Sequence, residues 1–117
     1  MTELRQRTRD YALAIIRLYP LIPKTAEAQV MARQVLRPGT SPDAQYREAC
    51  RAKSDKDFIS KIEGALQELD ETDYWLDLLV LSGNLSESDA APILNETDEL
   101  IRIMVTMARN RKAALKS

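Results

Sequence analysis

Few residues in this chain have the types and spacing that chemistry needs. Glu68 and Glu71 stand three residues apart with Asp70 between them. That spacing sets carboxylates on adjacent turns of one helix, where a pair can hold a metal or move a proton. Di-metal bundles, however, place Glu-x-x-His motifs on facing helices, and the sequence has no His and no second matching Glu pair. An enzyme built on Glu68 and Glu71 is therefore the most distant reading. The absence of His also removes Ser-His and Cys-His pairs and imidazole ligands. Gly39, Gly64 and Gly83 lie too far apart to form a phosphate-cradling loop. Cys50 is the single cysteine, so it forms no disulfide within the chain; it reads as a small residue on a packed helix face and fits a reducing cytoplasm. No catalytic, cofactor-binding or metal-ligating residue is assigned.

A structural role explains the acidic residues better. Arg37, Glu48, Lys61, Glu68 and Glu71 fall on segments expected to face one another, as a partly buried ion-pair network that fixes helix register. Tyr74 and Trp75 are adjacent, so they cannot both point into one core. An outward aromatic beside Leu78 and Val80 makes this pair the candidate for a subunit interface.

Net charge is −1, but its distribution is uneven. Residues 1–53 carry ten basic and five acidic groups, residues 54–101 two and thirteen, and residues 102–117 five and none. Opposite faces can pair within a bundle or between identical subunits. Alternatively, Arg5, Arg7 and Arg9 of the first helix, with Arg109, Arg111, Lys112 and Lys116 of the tail, can attract nucleic-acid phosphates. The acidic middle of the chain argues against strong affinity for polyanions.

The elements that position these residues follow from apolar spacing near the helical period, with no sustained strand-like alternation. A first helix spans about Glu3 to Tyr19, with Thr2 as its cap, Leu4, Tyr11, Ile15 and Leu18 on one stripe, and Pro20 and Pro23 as its stop. The second starts near Thr25 and turns Val30, Met31, Gln34 and Val35 inward. The run from Arg37 to Pro42, with two prolines and a glycine, predicts a kink or broken turn before the helix resumes to about Lys53. Ser54 with Asp57 starts the third, whose stripe of Phe58, Ile62, Leu66, Leu69, Leu76 and Leu79 ends at Gly83. Ser86 with Asp89 starts the fourth, which carries Ile93, Leu94, Leu100, Ile101, Met104 and Met107 to about Lys112. Pro92 either opens its main run or bends it. Four amphipathic helices with short connections predict an all-α, antiparallel up-down four-helix bundle, one domain over residues 1–117.

At 117 residues and 44% hydrophobic content, such a domain needs no disulfide or metal to bury a core. Charges among the first ten residues interrupt any signal-peptide centre, and no apolar run approaches the ~20 residues of a membrane span. A cytoplasmic protein without membrane association is expected.

Three blocks carry a family resemblance: Gln34 through Ala49, Ser54 through Ile62, and Ala65 through Leu76. Together they resemble the four helix bundle protein family, which includes the proteins encoded in intervening sequences of 23S rRNA genes and is similar to the accessory variability protein of diversity-generating retroelements. The resemblance runs from about Leu4 to Met104. By likeness, Arg37, Thr40, Ser41, Glu48, Ala49, Ser54, Phe58, Ile59, Lys61, Glu68, Glu71, Trp75 and Leu76 occupy the family's recurrent positions. The resemblance implies a short up-down bundle, often a ring-like homopentamer, with no catalytic activity. The retroelement relatives bind a reverse transcriptase and nucleic acid through a basic surface, whereas this chain has a pI near 5.5 and an acidic third helix. The leading reading is a non-enzymatic, self-associating assembly or adaptor module. The alternative is an RNA- or DNA-associated accessory protein, with a nucleic acid or a nucleic-acid enzyme as partner.

Overall fold

The structure, a computed structural model, describes residues 2–116. Its order is α1 (Glu3–Leu18), a single 3-10 turn (Tyr19–Leu21), α2 (Ala26–Cys50), α3 (Asp55–Leu81) and α4 (Glu87–Lys116). Among the described residues there is no strand. Each helix starts where a side-chain oxygen can satisfy an orphan amide. Thr2 Oγ1 accepts from Arg5 N at 3.1 Å, Thr25 Oγ1 from Ala28 N at 3.4 Å, Ser54 Oγ from Asp57 N at 3.0 Å and Ser86 Oγ from Asp89 N at 3.1 Å. Gly83 closes α3 with a φ of 78°, while Asn84 N donates to Leu79 O at 2.9 Å and Gly83 N to Val80 O at 3.0 Å.

The helices pack in sequence order, α1 on α2, α2 on α3 and α3 on α4, and α1 closes the ring against α4. This is the up-down bundle, 52 Å long and 23 by 22 Å across. The α1–α2 layer and the α3–α4 layer therefore form opposite sides of the molecule. The core holds Tyr11, Ile15 and Leu18 of α1, Val35, Tyr46 and Ala49 of α2, Phe58, Ile62, Leu69, Leu76 and Leu79 of α3, and Ile93, Leu100 and Met104 of α4. Leu4, Leu66, Leu94, Ile101 and Met107 are partly buried against it.

Several local expectations are corrected. Val30 is 50% exposed and Gln34 is also on the surface; Ala28 and Ala32 take the inward positions, because small side chains let α2 approach its neighbours closely. Cys50 is exposed rather than packed, since it is the last helical residue and its neighbour Ala49 faces the core. No broken turn occurs at Pro38 and Pro42: α2 is helical through both. Both prolines and Gly39 are buried between neighbouring helices, and that packing outweighs the lost donors. The Thr40 hydroxyl donates to Leu36 O at 2.8 Å and the Ser41 hydroxyl to Arg37 O at 2.6 Å within this stretch. Likewise α4 runs through Pro92, which sits exposed in its second turn.

Candidate functional site

The α2–α3 seam brings the five ion-pair candidates together as two separate clusters. Arg37 Nη1 reaches Glu68 Oε1 at 3.0 Å, while Arg37 Nη2 reaches Glu71 Oε2 at 3.0 Å, so one guanidinium clamps both carboxylates. The hydrogen bond that Arg37 donates to Glu68 is the main influence raising the Arg37 pKa, ahead of the Glu68 charge and of Glu71. Lys61 Nζ lies 3.3 Å from Glu48 Oε2 farther along the seam. Glu68 is the most shielded member; the Arg37 side chain is 63% exposed. Surface pairs of this kind contribute about 0–1 kcal/mol each, so they favour one register more than they add stability.

The cations proposed for phosphate do not gather on one surface. Arg7 forks onto Glu96 of α4, with Nη2 to Oε1 at 2.6 Å and Nε to Oε2 at 3.0 Å. Arg111 donates to Asp55 at 2.8 Å and lies 3.8 Å above the Phe58 ring, covering the end of the core. Lys112 donates to Glu63 at 2.7 Å. Among the described residues, no ion-pair partner is seen for Arg5, Arg9, Arg109 or Lys116. Arg5 acts on Tyr46 of α2, and Arg9 lies one turn along from it, so both sit on the α1–α2 side. Arg109 and Lys116 follow Lys112 along the edge that α4 presents to α3. There they rim an open groove floored by Leu66, Val105 and Ala108.

Tyr74 points outward, 56% exposed, while Trp75 is half-buried against the core. Their rings meet edge to face with centroids 5.0 Å apart. Leu81, two helical turns beyond Tyr74, is 74% exposed, and Leu13 and Ile16 of α1 are 39% and 51% exposed. Tyr74 thus belongs to an apolar stripe on α3, and α1 carries a second one.

A polar layer inside the core was missed from sequence. Tyr11 Oη is 2.7 Å from Thr97 Oγ1, which donates to Ile93 O at 2.7 Å; Thr72 of α3, which donates to Glu68 O at 2.8 Å, also influences the Tyr11 hydroxyl. Burial pushes the Tyr11 phenol up to about 12, against the opposing pull of Thr97 and Thr72. Near the α1 start, Thr8 donates to Asp43 of α2 at 2.9 Å. The available signal was position: Thr8, Thr72 and Thr97 all interrupt apolar stripes at core-facing spacing.

Asp73 lies on the side of α3 that borders α4. Partial desolvation, then the charges of Asp70, Asp77 and Asp98, raise its carboxyl above the ordinary range. Among the described residues, no group of three His, Cys, Asp or Glu side chains is arranged to hold a metal ion. No helix among them is long and apolar enough to cross a membrane.

Comparison with known proteins agrees with this architecture. A crystal structure described as a protein with unknown function from the S23 ribosomal protein family, from Bacteroides thetaiotaomicron VPI-5482, superposes with a TM-score of 0.83 at 34% identity, covering 89% of this chain and 96% of that one. No match to a curated protein is found. Residues 2–106 match the model of the 23S rRNA-intervening sequence protein. On that match, which spans all but the end of α4, the chain belongs to the 23S rRNA-intervening sequence protein family.

Proposed function

We propose that this protein is a non-enzymatic assembly module that works by associating with copies of itself in the cytoplasm. One observation carries the reading: α1 and α3 each hold large apolar side chains on their outer surfaces, Leu13 and Ile16 on one, Tyr74 and Leu81 on the other. Large exposed apolar side chains that recur at helical spacing favour a protein partner. The carboxylates with the best spacing for chemistry, Glu68 and Glu71, are both held by Arg37, which supports a structural role for them. A ring-like homopentamer is the stoichiometry that the family resemblance suggests.

The measurement is multi-angle light scattering on the purified protein across a concentration series. A mass several times 13.3 kDa is expected, near fivefold for a pentamer. A monomer at every concentration would sink the reading.

A second reading, a nucleic-acid accessory protein, is supported by Arg5 and Arg9, which share the α1–α2 side without ion-pair partners among the described residues. The tail cations lie elsewhere, so such a protein would use the α1–α2 side alone. Filter binding of an RNA probe at two salt concentrations tests it: salt-sensitive binding lost in Arg9→Glu supports it, and no binding at low salt removes it.

A further inference from the structure

We infer that copies of this chain join head to tail, the α1 stripe of Arg9, Leu13 and Ile16 on one copy packing against the α3 stripe of Asp70, Tyr74 and Asp77 on the next. The inference rests on the self-association reading and specifies its surfaces.

Three observations converge on it. First, the two stripes share one spacing. Arg9, Leu13 and Ile16 stand at i, i+4 and i+7; Asp70, Tyr74 and Asp77 repeat that interval, and Leu81 extends it by another turn. All of these residues are exposed. Second, the stripes carry opposite charge beside apolar side chains: Arg9 stands at one end of Leu13 and Ile16, and Asp70 and Asp77 stand on either side of Tyr74. Among the described residues, Arg9, Asp70 and Asp77 have no ion-pair partner within the chain, although seven ion pairs form elsewhere in it. Third, the bundle puts them on opposite sides, because α1 belongs to one layer and α3 to the other. Two different complementary surfaces on opposite sides cannot satisfy each other within a two-fold dimer. They form a heterologous contact, which leaves one of each open and so propagates, closing into a ring where the rotation between copies allows it and running on as a filament where it does not.

The acidic stripe is also crowded. Asp70 and Asp77 flank Asp73, and the like charges raise the Asp73 carboxyl further on top of its desolvation. An arginine brought in by the next copy relieves that repulsion. Charge of this kind fixes partner and register, while Tyr74, Leu81, Leu13 and Ile16 supply buried area.

The test uses the full chain and three charge-reversed variants, each checked for helical content by circular dichroism: Arg9→Glu with Arg33→Glu, an exposed arginine of the adjoining α2 that has no ion-pair partner among the described residues; Asp70→Lys with Asp77→Lys; and all four together. Light scattering is expected to show that reversing either surface weakens association at least tenfold. Reversing both should restore it, which misfolding cannot mimic. Three outcomes overturn the inference: association unchanged in both two-site variants, loss from only one surface, or no recovery in the four-site variant. If the unaltered chain is itself monomeric, the self-association reading fails as well, so the two failures are distinguishable. Salt-sensitive RNA binding that vanishes with Arg9→Glu and Arg33→Glu while association persists assigns the basic surface to nucleic acid instead and also overturns the proposal.

Discussion

At the scale of single residues, the informative groups are polar ones in apolar positions. Tyr11 is 2% exposed, and its hydroxyl is satisfied by Thr97 rather than by water. The neutral phenol suits this site and the phenolate does not, so folding raises the pKa from 10.0 to about 12. The sign follows from linkage. Below pH 10 the phenol is neutral in both folded and unfolded chains, and the full stability is present. Between about pH 10 and pH 12 the unfolded chain ionises first, and stability is lost as pH rises. Urea titrations are expected to show a decline over that window amounting to about 2–3 kcal/mol for this group. Tyr11→Phe should flatten the decline at a cost of about 1 kcal/mol near neutrality, because Thr97 keeps its bond to Ile93 O. An equally steep alkaline loss in the phenylalanine variant would assign it elsewhere, Tyr46 being the other tyrosine whose pKa burial raises. Nothing in the sequence distinguished Tyr11 from an ordinary core aromatic, since its hydrogen-bond partner Thr97 lies 86 positions away.

Helices meet at glycines in two different ways, and the difference predicts opposite outcomes. A Cβ on Gly39 would lie 2.7 Å from Ile15 Cγ2 and 2.8 Å from Cγ1. Ile15 is 1% exposed and has nowhere to move, so α2 approaches α1 at this point only because a side chain is missing. Gly39→Ala is therefore expected to cost about 1–3 kcal/mol, even though alanine is the better helix former. At Gly64 the intruded group is the end of the Gln45 side chain, which is flexible. Gly64→Ala should be neutral or stabilising by up to about 1 kcal/mol. Thermal melts of the two variants decide it; equal shifts in the same direction would refute the packing account. The same contrast shows what sequence can carry at this scale. Caps at Thr2, Ser54 and Ser86 and the Gly83 stop are local signals and were legible to within a few residues. The Arg37–Pro42 stretch was not, because local rules read two prolines and a glycine as a break, whereas their surroundings hold them in one helix. That information resides in α1 and α3.

For the whole molecule, the four seams are unequal. The α2–α3 seam is the most extensive and the α1–α4 seam the least, and α1 has 16 residues against 30 in α4. Apart from apolar packing, the named links from α1 to α4 are the Arg7–Glu96 fork and the Tyr11–Thr97 hydrogen bond. Opening α1 alone exposes less apolar surface than separating α2 from α3, so α1 should be the first cooperative unit to detach. In native-state hydrogen exchange at low protein concentration, amides of α1 such as Ile15 and Leu18 are expected to exchange through an opening about 1–3 kcal/mol less costly than that of the central α3 amides. Head-to-tail docking makes a second demand on the same data. If the α3 stripe of the next copy covers Arg9, Leu13 and Ile16, binding stabilises only the state with α1 in place. Protection of α1 must then rise with protein concentration, and central α3 protection at least as much, because unfolding α3 loses that helix's own contact with a neighbouring copy as well. Uniform protection of both helices would show that the short seam is not the weak one. Protection of α1 independent of concentration, in a protein that does associate, would mean that the next copy sits elsewhere.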